Sequence, residues 1–302
     1  MCVDAVTALK SFFARETDVS AAYLYGRYAT DRTWPDSDLE VALVFPSGRT
    51  EEEISEYMER LSSANPLGEV PGILMPFALN THILPVVYEV LTGATLIVTN
   101  DPASHEAFTK SATARLEEER VGLLDDAREA IQQARNLGML ILGMPGLVLP
   151  QPPKYLDPIR IGWRLSRILA SAAVLEPSTR GAEPLGDDPE RLGQIVGWFS
   201  NAAGAATGIA KAMLSIFDIP RPSRRWEVFL PLADSNLITR EMALQMASAV
   251  ESRWQLLTGA GLAVPERIIA TVRASLVPIV SFARLAAWYS ELPGGRGDQK
   301  LH

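Results

Sequence analysis

Two acidic side chains set close together carry the clearest chemistry in this chain. The stretch Tyr25–Val44 reads YGRYATDRTWPDSDLEVALV, and within it Ser37-Asp38-Leu39-Glu40 leads from a polar loop into an apolar run. Side chains along a strand alternate with period two, so Asp38 and Glu40 are expected on one side of it. Hard oxygen ligands of this kind suit Mg²⁺, which keeps waters and substrate phosphates as its remaining ligands. Two such ions about 3.5–4 Å apart can clamp the attacking and leaving oxygens of a phosphoryl transfer. Gly26 stands eleven residues before Ser37 and twelve before Asp38. A glycine turn there lets phosphate oxygens approach backbone N–H groups. The other reading makes Asp38 and Glu40 ordinary solvated acids at a loop–strand junction, and the D-x-E spacing alone does not choose between the two.

The flanking pattern supplies the elements that would hold such a pair. Val3, Val6, Leu9, Phe12 and Phe13 recur at helical spacing. Val19–Tyr25 and Leu39–Phe45 read as strands, separated by a loop with Gly26 and Pro35 as breakers. Thr50 followed by three glutamates reads as a capped helix start. Gly72–Leu79 reads as a third strand, with Pro76 marking an edge or a bulge. Leu84–Leu91 reads as a short helix and Thr95–Val98 as a last strand.

From Ser104 onward the pattern is helical: Ala112–Arg135, Ile159–Val174, Asp188–Phe217, Thr239–Leu257 and Pro265–Leu292. Asp188-Pro189 reads as an N-cap followed by Pro at the first helical position. Gly193/Gly197 and Gly204/Gly208 recur every four residues, a spacing that admits a closely approaching helix. The expected fold class is α+β: an α/β domain over residues 1–110, a connecting helix and Pro-rich linker over 111–154, an all-α bundle over 155–293, and a flexible tail over 294–302.

The order of strand, Gly26, Ser37-Asp38, second carboxylate and apolar strand resembles the minimal nucleotidyltransferase domain of the DNA polymerase β superfamily. The family pattern is a Gly-Ser turn followed by Ser-Asp-x-Asp-Leu. LPVVYEVLTGATLIVTNDPASHEAF also looks like the family's closing helix and strand. The resemblance implies that Asp38 and Glu40 hold Mg²⁺ and act in catalysis, and that Gly26, Arg27 and Ser37 hold ATP or another nucleoside triphosphate. Three departures stand out. Arg27 replaces the Ser of the turn, where it either meets a triphosphate or fills the pocket. Glu40 replaces the second Asp. The family's third carboxylate, on a later strand, has no counterpart in GILMPFALN. Met75 aligns near that position, and Glu69 and Glu89 are the nearest acids, neither fitting well. Trp34 and His82 read as structural.

The helices after Tyr155 are similar to the bundle of the HEPN superfamily, whose minimal members pair with such nucleotidyltransferases in toxin–antitoxin systems. HEPN ribonucleases place a His a few residues after an Arg. Here Arg253 fits the Arg, Trp254 stands where Asn is usual, and Thr258 falls where the His belongs. The resemblance therefore implies that ribonuclease chemistry is lost.

Composition narrows the classes. The single cysteine excludes an internal disulfide framework and a Cys-rich zinc site. Lys and Arg number 28 against 36 Asp and Glu, a formal net charge of −8. That argues against a broad nucleic-acid surface and leaves room for a local basic pocket. The charge-poor stretches Asn136–Pro153 and Leu192–Ala210 do not read as membrane spans, and the N-terminus does not read as a signal peptide. A cytoplasmic protein is expected. Its first expected role is a nucleotide-binding or regulatory fusion with degenerate sites. The second is an active nucleotidyltransferase that moves a nucleoside monophosphate to a hydroxyl of a protein or a small molecule such as an aminoglycoside. Expected partners are a nucleotide, a protein acceptor or partner, and a second copy through the helical domain; no membrane partner is expected.

Overall fold

The computed structural model describes residues 2–25, 39–63, 74–136, 156–180, 188–220, 222, 224–258 and 264–290. The chain divides into two compact units, Met1–Val121 and Gly122–His302. The first is an α/β unit and the second is built of helices.

The first unit opens with α1 (Cys2–Phe13), β1 (Ala21–Leu24) and β2 (Leu39–Val44). Then come α2 (Glu51–Ser63), β3 (Leu74–Ala78), α3 (Leu84–Gly93) and β4 (Thr95–Thr99). Four strands form one sheet in the order β3-β2-β1-β4. β1 pairs antiparallel with β2 and β4, while β2 pairs parallel with β3. A parallel pair needs a crossover, and α2 supplies it. Pro76 lies in β3, an edge strand, where a missing N–H is tolerated.

One sheet face is apolar. Ala22, Leu24, Leu39, Val41 and Leu43 pack with Leu9 and Phe13 of α1 and Ile54, Tyr57 and Leu61 of α2. Each such Leu or Ile contributes roughly 1.5–3 kcal/mol on full burial. Asn80 donates to the Phe45 carbonyl and accepts the Phe45 N–H, and Leu79 N–H donates to Leu43 O. These bonds fix the ends of β2 and β3 against each other.

α4 (Pro102–Asn136) begins ten residues earlier than its apolar periodicity suggests and runs through residue 110 and across the division between the units. The second unit adds α5 (Pro158–Arg180), α6 (Pro189–Ile216), a 3₁₀ turn (Arg225–Phe229), α7 (Leu230–Asp234), α8 (Arg240–Thr258) and α9 (Pro265–Trp288). The connection before α8 is helical over Arg225–Asp234. α5 continues past the expected end at Val174 and carries Pro177 inside it. Asp188 caps α6 as its sequence suggests, accepting the Arg191 N–H.

α9 is, among the described residues, the helix long and apolar enough to cross a membrane, with a mean hydropathy of 1.6. It packs against α5, α6 and α8, and Val272, Ile279, Phe282, Ala283 and Ala286 are fully buried. Arg135 donates to the Ala287 and Ser290 carbonyls at 2.9 and 2.6 Å, satisfying orphan acceptors at its C-terminal end.

The glycine repeats of α6 do not mark a close helix approach. Gly193 and Gly197 face open space, while Gly204 and Gly208 face the side chains of Arg253 and Arg164. A long side chain uses the room left by a missing Cβ as readily as a backbone does. The close approach is at Gly162, where an added Cβ would stand 2.5 Å from Ala127 Cα. Gly162→Ala is expected to lower the urea-unfolding free energy by about 1–3 kcal/mol, because backbone must move. Gly204→Ala, with ordinary contacts at 3.7 Å or more, is expected to leave stability unchanged or raise it by up to about 1 kcal/mol.

Asp101 precedes α4, where its carboxylate accepts the Ser104 hydroxyl and backbone N–H at 2.6 and 3.1 Å. Those bonds, the hydroxyl foremost, hold its pKa below the ordinary carboxylate value. A depressed folded-state pKa gives stability that is present above the unfolded value and lost as pH falls through the folded one. Asp101→Ala is expected to lower the melting temperature at neutral pH. The gap from wild type should close in melts taken progressively below about pH 4.

Candidate functional site

The second face of the sheet carries the polar groups. β1 and β2 are in register with Tyr23 opposite Ala42, and the Tyr25 N–H donates to the Glu40 carbonyl at 2.8 Å. Glu40 is half-buried in β2, next to Tyr25 on one side. On the other side its register partner in β3 is Met75, and Ala42 pairs with Phe77. Period-two alternation sets Tyr23, Tyr25, Glu40, Met75 and Phe77 on one face, opposite the apolar core.

α3 and α4 supply partners to this face. The Tyr25 hydroxyl donates to the carboxylate of Glu89 in α3. Glu89 is 4% exposed, among the buried Val86, Val87 and Val90 of its helix. The Tyr25 ring stands edge-on to Phe77 at 5.8 Å, and Phe77 edge-on to His82 at 5.4 Å. Tyr23 shares a hydrogen bond of 2.6 Å with His105 Nε2 of α4. Burial pushes the Tyr23 hydroxyl above its ordinary pKa.

Of the expected site residues, Glu40 is the one described. Gly26, Arg27, Ser37 and Asp38 lie outside the described residues, as do Trp34 and Glu69. Glu40 sits at the start of β2 on the face away from the core. Met75 lies beside Glu40, 51% exposed, so the position across from the strand acid holds a thioether. Among the described residues, no three His, Cys, Asp or Glu side chains gather closely enough to hold a metal ion.

Residues 7–103 match the family model for Polymerase beta, Nucleotidyltransferase. The match spans the sheet, the second half of α1, α2, α3 and the first residues of α4. The first unit thus holds a nucleotidyltransferase-family domain, joined to a helical region in an α+β chain. No curated protein matches the chain. Among solved structures, the cytosolic protein of unknown function YutE from Bacillus subtilis is similar at 12% identity and a TM-score of 0.38. That similarity covers 44% of this chain and 90% of that one.

Glu89 is the group that sequence reasoning set aside. It is an acid on the buried stripe of LPVVYEVLTG, and that placement was the available signal. It brings a second carboxylate to the nucleotidyltransferase face, held by the Tyr25 hydroxyl. A double-mutant cycle of Tyr25→Phe and Glu89→Gln, read by urea unfolding, is expected to show a coupling of about 1–3 kcal/mol. A coupling near zero would mean the hydroxyl and carboxylate do not hold each other.

Proposed function

We propose that the nucleotidyltransferase-family domain binds a Mg²⁺-nucleoside triphosphate without transferring the nucleotide. The helical unit is HEPN-like, and the whole chain is a cytoplasmic regulatory member related to toxin–antitoxin systems. In this reading Asp38 and Glu40 hold a single Mg²⁺, and Gly26, Arg27 and Ser37 receive the phosphates. The carrying observation is the register of Glu40 with Met75. A thioether is neither a Mg²⁺ ligand nor a base, so the attacking hydroxyl lacks the group that would take its proton. Arg253 supports the loss of ribonuclease chemistry: its Nε–H donates to Ser200 O at 3.1 Å, tying α8 to α6. No His lies between His105 and His302.

The second reading is an active enzyme that transfers a nucleoside monophosphate to a protein or small-molecule hydroxyl. The buried Glu89 favours it, as a second acid on the same sheet face. Isothermal titration of the full chain with Mg-ATP, beside an assay with α-labelled ATP, separates the two. The regulatory reading expects stoichiometric binding and no label transfer, with affinity reduced about tenfold or more in Asp38→Ala/Glu40→Ala. Label transfer that is lost in that double variant and in Glu89→Gln supports the second reading instead. Absence of Mg-ATP binding refutes both.

A further inference from the structure

The nucleotide reading leaves the far end of the first unit unused. Between α3, the first half of α4 and the chain that follows β3 lies an open cleft of about 140 Å³. All its described lining residues belong to the first unit. Glu40 pairs with Met75 near the start of β3, whereas Leu79 and Asn80, which line the cleft, follow the end of that strand. At about 3.3 Å per residue, the two places are roughly 13 Å apart along β3. The cleft is therefore separate from Glu40.

Its floor is apolar and fixed. Leu79, Leu84, Val87 and Ala112 line it, and each is buried. Leu79 N–H donates to Leu43 O, and Asn80 holds both backbone groups of Phe45, so this wall is tied to β2. Phe108 adds a half-buried aromatic ring. An apolar cavity of about 150 Å³ holds a benzene molecule, so the cleft has room for one small ring.

Its rim is polar. Phe108, Ser111, Ala112 and Arg115 recur at i, i+3, i+4 and i+7, one face of α4, and all four line the cleft. A hydroxyl and a guanidinium thus border the apolar floor. Arg115 pairs with Glu119 one turn on at 3.7 Å, with both side chains more than half exposed. An exposed pair of this kind contributes little, and a carboxylate that meets the guanidinium bidentately competes well with it. Across the cleft, His82 Nδ1 accepts the Ile83 N–H at 3.0 Å, which places the proton of the neutral ring on Nε2. Among the described residues that line the cleft, none is acidic.

We propose that this cleft binds a small organic carboxylate with a flat apolar body. The ring lies against Leu84, Val87 and Phe108, and the carboxylate meets Arg115 and Ser111. One guanidinium balances one negative charge, so a monoanionic carboxylate fits better than a dianionic phosphate.

The test is a fluorine NMR titration of the full chain with 4-fluorobenzoate, in EDTA and without nucleotide, so that its outcome is independent of the Mg²⁺-nucleotide reading. A dissociation constant in the millimolar range is expected, with unlabelled benzoate competing. Acetate, which lacks the ring, and 4-fluorobenzyl alcohol, which lacks the charge, are expected to bind about tenfold or more weakly. Arg115→Gln is expected to weaken 4-fluorobenzoate about tenfold, and Arg115→Lys to restore part of the loss. Ser111 is exposed, so Ser111→Trp is expected to block the cleft and abolish binding with the circular dichroism spectrum and urea midpoint unchanged. Absence of millimolar binding would overturn the proposal. So would equal binding to wild type and to Arg115→Gln or Ser111→Trp, or binding of 4-fluorobenzyl alcohol or 4-fluorophenyl phosphate as tight as that of 4-fluorobenzoate.

Discussion

The register between β2 and β3 is the constraint on which the rest of the nucleotidyltransferase domain depends. Strand alternation leaves only two ways to face a side chain, so a one-residue slip would turn Glu40 into the core and Leu39 out of it. The core forbids that slip. Leu39, Val41 and Leu43 are each fully buried against α1 and α2. Asn80, bonded to both backbone groups of Phe45, clamps the far end. With the slip excluded, Glu40 must stand beside Met75. Hydrophobic burial on one face thereby decides the chemistry available on the other.

Much of this was legible in the residues because the signals are local. The element order, the edge position of Pro76 and the Asp188 cap all follow from short-range patterns. What escaped was set by tertiary contact. Helical periodicity shows that Glu89 lies on a buried stripe but not which side chain it meets, so its bond to Tyr25 could not be read. The early start of α4 lies in a polar segment, where amphipathic spacing gives no signal. A Pro usually ends a helix, yet α5 runs on past Pro177. The loop carrying Gly26, Arg27, Ser37 and Asp38 was the most informative part of the sequence, and it lies outside the described residues.

The helical unit shows how small residues mislead when read alone. Glycines at four-residue spacing leave a groove, and the sequence does not say what fills it. On α6 arginine side chains occupy it, while backbone meets backbone at Gly162 and Ala127. α9 carries a similar lesson. Its hydropathy would suit a membrane, but one face of it packs inside the helical unit, with Phe282 edge-on to Phe229 at 5.0 Å. The Tyr289 hydroxyl, just beyond its end, donates to the Leu237 carbonyl.

The central claim is that one side of the metal position is closed by a thioether. A crystal structure of the full chain with Mn²⁺ and a non-hydrolysable ATP analogue, with the metal located by anomalous scattering, addresses it directly. The account predicts a single Mn²⁺ between Asp38 and Glu40, with the Met75 side chain adjoining it and Glu89 still bonded to Tyr25. Two Mn²⁺ ions bridged by Asp38 and Glu40, with Glu89 or another carboxylate turned in to complete the second, would contradict it.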